Sequence, residues 1–380
     1  MNTDHSRRNF VCALCGGLCL SAAVPWLVGS HERSDGASTR GEIKFKDLTG
    51  REIILARPAE RIVDTMGATA AMAIAVHGSP ARLAGIHPFT RPMFEKSFIS
   101  RIFPEVLQIP SDVVTGSSYT PNVERIAGLN PDVVVHWGDY GETTATPLRN
   151  AGLTVATYRA LAGGAEETLY AFAKMLGDMI GDNSRSTYLR ELGDEIRTHL
   201  SGLLRAVPEE KRTRALIVTV TGAGLSASGG DASSTYSYHL YRAGGINVAS
   251  ALPDFSAVSS EQIASWNPDV VFVFNSPRAS LDRIYADPVL SATKAARTRR
   301  VYVLPIGSHS WGSLGPEDPL VQTWMAELFY PQRMDRSLRQ RMGNAYEKMF
   351  GRRFTNQELD EVLLMSTNSQ SDGYERFLPA

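Results

Sequence analysis

The sequence predicts an α/β protein of two lobes joined by a long helical segment. Three observations carry this. A unit occurs twice, IAGLNPDVVVHWG at 126–138 and IASWNPDVVFVFN at 263–275, 137 residues apart. Short apolar, β-branched runs alternate with helix-like segments around both copies, the pattern of a mostly parallel sheet. The alternation fails once, over 165–206, where two helical patterns follow each other with no strand between them.

Each copy of the unit reads as helix, proline turn and buried strand. Ile126-Ala127 and Ile263-Ala264 form the last apolar turn of a short helix. Asn130-Pro131 and Asn267-Pro268 end it, because the residue before proline is pushed out of the α region. Val133 to Val135 and Val270 to Val273 are continuous apolar runs, which suit a strand covered on both faces. Two independent uses of a common helix-to-strand connection would look similar, but the matched Ile-Ala and the matched surroundings favour a duplicated α/β unit.

The remaining elements follow in order. EIKFKD, REIILA and RIVDT (within 42–65) are short strands punctuated by Gly50 and Pro58. ATAAMAIAVHG is a compact helix with a glycine stop, and His77 at its end reads as a local cap. RLAGI is a strand, and RPMFEKSFISRIFPE a helix bearing Phe94, Phe98 and Phe103. Residues 111–120 are a polar loop before Pro121 and the first repeated helix. TPLRNAG and LTVATY add a helix-strand pair. AEETLYAFAKMLGDMIG is strongly amphipathic, with Leu169, Phe172, Met175, Leu176 and Met179 at helical spacing, and Asp182-Asn183-Ser184 separates it from a second long helix. Strands resume at RALIVTV, and GAGLSASGG after it reads as a turn. The chain ends in helices. The expected divisions are 1–30 leader, 31–41 flexible lead-in, 42–164 first lobe, 165–206 linking helices, and 207–380 second lobe with a helical tail.

The 380 residues are 43% hydrophobic and 21% charged with net charge −1, a globular composition that gives no reason to expect a nucleic-acid partner. SRRNFV at 6–11, an apolar stretch and small residues at 21–23 read as a cleaved signal peptide of the twin-arginine type, implying a periplasmic location; an ordinary secretory signal that happens to contain Arg-Arg, or an uncleaved membrane anchor, is the alternative. All three cysteines (Cys12, Cys15, Cys19) lie in that leader, and the leucines before Cys15 and Cys19 argue against a lipid anchor. The mature chain then has no disulfide or thiolate site.

With these features in view, the chain resembles the helical-backbone class of periplasmic solute-binding proteins, whose best-known branch serves ABC importers of iron-siderophore complexes, haem and vitamin B12. The resemblance covers residues 42–365 and rests on PNVERIAGLNPDVVVHW, SSEQIASWNPDVVFVF, the segment between the lobes, and the tail TWMAELFYPQRM…YEKMFGRRFTNQEL. It implies a ligand cleft between the lobes, an ABC permease dimer with its ATPase as partner, and a receptor that works as a monomer. It also implies that Glu124 and Glu261, matched positions of the two copies, dock onto the permease. Both sit in a first helical turn, where a carboxylate complements the helix dipole, so a purely local role is the alternative.

Ligands of α/β sheets gather beyond the carboxyl ends of strands. That rule selects His87 and Arg91 after RLAGI; Trp137, Asp139 and Tyr140 after DVVVHW; Asn275 and Arg278 after DVVFVFN; and His309 and Trp311 after RVYVLP. Ser117, Ser118 and Tyr119 precede the first repeat, and Tyr236, Tyr238 and His239 lie in a second-lobe loop. The set is aromatic and cationic, which suits an anionic metal chelate. Each residue can instead be packing: Trp137 sits on a strand end, one of Tyr236 and Tyr238 is expected inside, and Trp266 within the second repeat reads as core. No HxH, HExxH or cysteine pair exists in the mature chain, so no direct metal site or resident cofactor is expected.

The sequence reading is therefore an importer's receptor for an iron(III)-siderophore-type chelate, not an enzyme. Vitamin B12, haem and molybdate or tungstate are alternatives within the same role; the oxyanion would need Arg91, Arg278 and backbone N–H groups rather than aromatics. An exported cofactor-handling enzyme on the same scaffold is the alternative of another kind, but GxSxG, Walker and Rossmann fingerprints are all missing.

Overall fold

The computed structural model describes residues 41–67, 69–115, 119–138, 142–222, 224–274 and 279–379. The leader, Ser117, Ser118, Asp139, Tyr140, Asn275 and Arg278 lie outside the described residues.

Strands β1 (Ile43–Lys46) and β2 (Glu52–Leu55) form an antiparallel hairpin. Asp47 closes its turn by accepting the N–H groups of Thr49 and Arg51. Strands β3 (Ile62–Asp64), β4 (Leu83–Ile86), β5 (Val133–Trp137) and β6 (Val155–Tyr158) make a parallel sheet in the order β4-β3-β5-β6. The second sheet holds β7 (Arg214–Thr221), β8 (Gly224–Ala227), β9 (Ile246–Asn247), β10 (Ser256–Val258), β11 (Val270–Phe274) and β12 (Val301–Val303). Its order is β10-β8-β7-β11-β12, with β9 beside β7. The pairings of β7 with β9 and β11, and of β11 with β12, are parallel, while β8 and β10 are antiparallel additions. The sequence reading made GAGLSASGG a turn. Instead β7 folds back there, and Gly224–Ala227 pairs with Val218–Thr221 as β8.

The duplicated unit is one structural device used in both sheets. Helix Val123–Gly128 is capped by the Asn122 side chain, and helix Ser260–Trp266 by Ser259. Both helices end in an asparagine with left-handed backbone, Asn130 at φ 49° and Asn267 at φ 43°. The expectation of an extended residue before proline is corrected here: asparagine tolerates the left-handed region and reverses the chain in one step. The next aspartates then reach back to the neighbouring strand. Asp132 accepts the Arg61 N–H at 2.8 Å, and Asp269 accepts the Arg214 N–H at 2.9 Å. The same arginines turn their guanidinium groups onto the helix ends, Arg61 onto the Leu129 carbonyl and Arg214 onto that of Trp266. Trp266 is half-buried against the apolar cluster on its sheet.

The linking segment is a helix pair, Ala165–Ile180 and Ser184–Leu204, broken at Gly181 with φ 71°. The two pack on each other. Close approach needs Gly193, where a Cβ would stand 1.5 Å from the Tyr170 hydroxyl. The first helix lies on β1 and on helix Ala70–His77, and the second on helix Asp318–Phe329 of the second lobe.

The tail crosses back to the first lobe. Helix Leu338–Phe350 packs on Ala70–His77. Phe98 of the first lobe enters a cage of Tyr346, Phe350 and Phe354, with ring centroids 5.0, 5.1 and 4.8 Å away. Arg101 pairs with Glu361 beside it. The main apolar core consequently runs through both lobes without a break. Phe98→Ala should cost about 3–5 kcal/mol through lost contacts and the cavity left behind, seen as a lower unfolding midpoint in denaturant with the ligand cleft unaltered.

Candidate functional site

The carboxyl ends of strands from both sheets meet at one cleft of about 490 Å³. The first lobe supplies Gly67 beyond β3, Phe89 and Met93 beyond β4, Tyr119, and Trp137 at the end of β5. The second lobe supplies Thr219 of β7, Tyr236, Phe255, Phe274 at the end of β11, and Ser310 and Ser313 beyond β12. The place is the one expected for a ligand of parallel sheets. Another cavity of about 500 Å³ lies among Glu191, Glu195, Arg341 and Lys348 of the linking and tail helices, with no strand end beside it.

Aromatic rings form both walls. In the first lobe Tyr119 meets Trp137 edge-on at 5.0 Å, and Trp137 leans on Tyr158 at 5.9 Å. His87 lies 5.1 Å from the rings of both Tyr119 and Phe89. In the second lobe Tyr236 meets Phe255 at 4.7 Å and Phe274 at 5.7 Å. Burial pushes the Tyr236 phenol up to about 12, aided by the Asp254 charge and opposed by a hydrogen bond with Ser313. It is therefore a protonated hydroxyl at neutral pH. Among the described lining residues there is no Asp, Glu, Lys, Arg or His.

Of the residues selected from sequence, Tyr119, Trp137 and Tyr236 line the cleft. The others described do not, each for a physical reason. His87 is fully buried, and its Nδ1 accepts the Phe89 N–H at 3.1 Å, so it props the wall from behind. Arg91 donates to the Ile109 carbonyl at 2.7 Å. Tyr238 is buried with its hydroxyl on the Asp318 carboxylate. His239 is buried beside it and held neutral, pushed down to about 3 by burial, so its 3.9 Å approach to Asp318 is not an ion pair.

His309 and Trp311 belong to a loop that sends some side chains to the cleft and others inward. Ser310 and Ser313 face the cleft, whereas His309 and Trp311 are buried, Trp311 against Trp324. The loop is wound around two buried carboxylates. Glu317 accepts the Ser308 N–H at 2.9 Å and the Tyr346 hydroxyl at 2.8 Å. Asp318 accepts the Gly315 N–H at 2.9 Å, and burial pushes its carboxyl up to about 8. Burial alone would lower His309, but Glu317, 3.6 Å from its Nδ1, raises it overall.

Phe89, Met93, Thr219, Phe255, Phe274, Ser310 and Ser313 escaped the sequence reading. Phe274 is the last residue of its strand, one step before the residues that the strand-end rule selects, and Thr219 lies inside β7, after which that rule selects nothing. Ser310 stands between His309 and Trp311, whose aromatic character drew the selection. Phe255 carried no sequence signal.

The β3 end shapes the cleft's edge. The Asp64 carboxylate accepts the Met66 N–H at 2.8 Å and the Thr69 hydroxyl at 2.7 Å, bracketing Gly67. Burial raises this carboxyl from 3.8 to about 7. The folded state thus keeps a proton that the unfolded chain has released, and this contribution to stability is full below about pH 4 and lost as pH rises through 7. Asp64→Asn should remove that part of the slope, checked by comparing melting temperature against pH for the two proteins.

A family model described as periplasmic binding protein matches residues 62–306. The molybdate-binding protein MolA of Haemophilus influenzae is 26% identical over 250 residues, covering 64% of this chain and 68% of its own. A cobalamin-binding protein of Halobacterium salinarum is 27% identical over 256 residues, covering 66% and 63%. A periplasmic solute-binding protein from Veillonella parvula superposes with a TM-score of 0.77 at 25% identity, over 87% of this chain and 99% of its own.

Proposed function

The chain belongs to the periplasmic binding protein family, and on that basis we propose that it is the substrate-binding component of an ABC importer that captures an organic iron(III) chelate of the siderophore type. The observation that carries this reading is the two-walled aromatic cleft without charged lining among its described residues. A bare cation needs clustered carboxylates or imidazoles, and no such group of three exists among the described residues. A small oxyanion would engage the hydroxyls of the described lining but leave the aromatic rings on both walls without a partner. An organic chelate brings its own metal ligands and presents carbon surface to the protein. Phenol and serine hydroxyls then orient it. The protein's work is capture and delivery; no bond is made or broken.

A corrinoid is the second reading. The cobalamin-binding relative favours it, and rings on both walls also suit a flat macrocycle. Native mass spectrometry of the exported protein with metal analysis separates the readings. Iron with a co-bound organic mass supports the siderophore-type chelate, cobalt supports the corrinoid, and molybdenum would overturn both. Titration adds a second readout: Trp137 borders the cleft, so the bound chelate should quench its emission, and Trp137→Phe should remove most of that change while leaving the fold intact.

Delivery requires docking. Glu124 and Glu261 are exposed in the first turns of the two repeated helices. The Ser259 hydroxyl and the local backbone hold the Glu261 carboxyl below the usual range, so it is charged throughout the neutral region. In this reading each meets a cationic group on one permease subunit, and export by the twin-arginine route through Arg7 and Arg8 places the receptor beside it. The double variant Glu124→Ala, Glu261→Ala should bind chelate as the wild type does but lower uptake at least tenfold in vesicles carrying the permease and ATPase.

A further inference from the structure

Phe255 stands where an L-residue with a bulky side chain rarely stands. Its φ is +56°, and it is the only aromatic residue among the described non-glycine residues with positive φ. Asn130 and Asn267 share that conformation at little cost, because asparagine tolerates it. Phenylalanine does not, and such strain persists only where the surroundings impose it.

The surroundings do impose it. The turn before β10 rests on the bare Cα of Gly229, where a Cβ would come 1.8 Å from the Leu252 carbonyl oxygen. That carbonyl accepts the Gly230 N–H at 2.8 Å. The Ser234 hydroxyl donates to Asp254 at 3.0 Å, and the Ser256 hydroxyl donates to the Pro253 carbonyl at 2.8 Å. From Ser256 onward the chain is locked in register with β8. The backbone at 255 is thus held from both sides.

Core packing does not account for the ring's presence. Phe255 is 44% exposed, so its apolar face is not spent inside the protein. The ring stands on the cleft wall, edge-on to Tyr236 at 4.7 Å and 6.4 Å from Phe274. Phe89, 50% exposed, belongs to the facing wall. A strained, clamped and half-open aromatic ring on a binding wall is a preorganised contact: its position is set before the ligand arrives.

From this we infer that Phe255 is a specificity-determining residue, held in a left-handed turn to stack on a flat unsaturated part of the bound chelate. The inference rests on the chelate-receptor reading and deepens it: in a cleft without charged lining among its described residues, the ring selects uncharged chelates built on aromatic ligating groups, such as hydroxypyridinones, over equally uncharged chelates built on aliphatic hydroxamates. Stacking rewards a π face, and an aliphatic chelate has none to offer.

The test uses the full mature protein with two probes of zero net charge, a ferric tris-hydroxypyridinonate and a ferric tris-hydroxamate, read by fluorescence titration, together with thermal unfolding of the ligand-free protein. Wild type should prefer the hydroxypyridinonate. Phe255→Asn keeps the backbone conformation without the strain, so its melting temperature should equal or exceed that of wild type. Its affinity for the hydroxypyridinonate should fall roughly three- to tenfold, and for the hydroxamate hardly at all. Phe255→Tyr should bind as wild type, whereas Phe255→Leu, apolar but without a π face, should follow the asparagine variant. Equal loss for both probes, or unchanged hydroxypyridinonate affinity in the Asn and Leu variants, overturns the role of Phe255 alone. So does a marked fall in the melting temperature of Phe255→Asn, which would make the ring a structural plug. Wild-type protein that binds neither probe overturns the chelate reading and this inference with it.

Discussion

Two aspartates fix the frame on which everything else is built. Asp132 and Asp269 each accept the N–H that opens the neighbouring strand, Arg61 before β3 and Arg214 at the start of β7. Parallel strands have no hairpin to set their register, so it must come from elsewhere. Here a helix end, a left-handed asparagine and a carboxylate set it in one stroke, once in each sheet. With starts aligned, the strand ends fall level, and Trp137 and Phe274 arrive at the same cleft from opposite lobes. The arginines that brace each helix end complete the device.

The second-lobe loop shows how a polar interior can serve an apolar site. Burying Glu317 and Asp318 without partners would be costly, and each is met by backbone and phenolic donors. The result is a loop wound around its own carboxyl groups, which holds Ser310 and Ser313 at the cleft. Gly307 and Gly315 are required where they stand, since a Cβ would collide with Glu317 at one and His309 at the other. The histidine is a member of this buried network, which is why a residue type so often found on ligands is here turned away from one.

Much of the frame was legible in the sequence because it is written in local chemistry. The NPD turns, the β-branched runs and the amphipathic linking helices each follow from a few adjacent residues. The antiparallel β8 was not, since a glycine-rich strand that closes a hairpin looks like the turn that precedes it. For the site, the rule of strand ends led to Trp137 and missed Phe274 by one residue, while aromatic residues in loops pointed to Tyr119 and Tyr236. It took His309 and Trp311 where their small neighbours line the wall, because residue type says nothing about which way alternate side chains point. Phe255 depends on a backbone angle imposed from Gly229 and β8, far along the chain, and no local pattern announces it.

The aromatic cage around Phe98 bears on how the molecule comes into being. Its walls, Tyr346, Phe350 and Phe354, leave the ribosome long after Phe98 and the helix it accompanies. Until the tail emerges, the first lobe has an uncovered apolar face and an unfinished core. The nascent chain therefore cannot complete one lobe and then the other in order of synthesis, as independent domains do. The first lobe completes its core only when the tail returns to it.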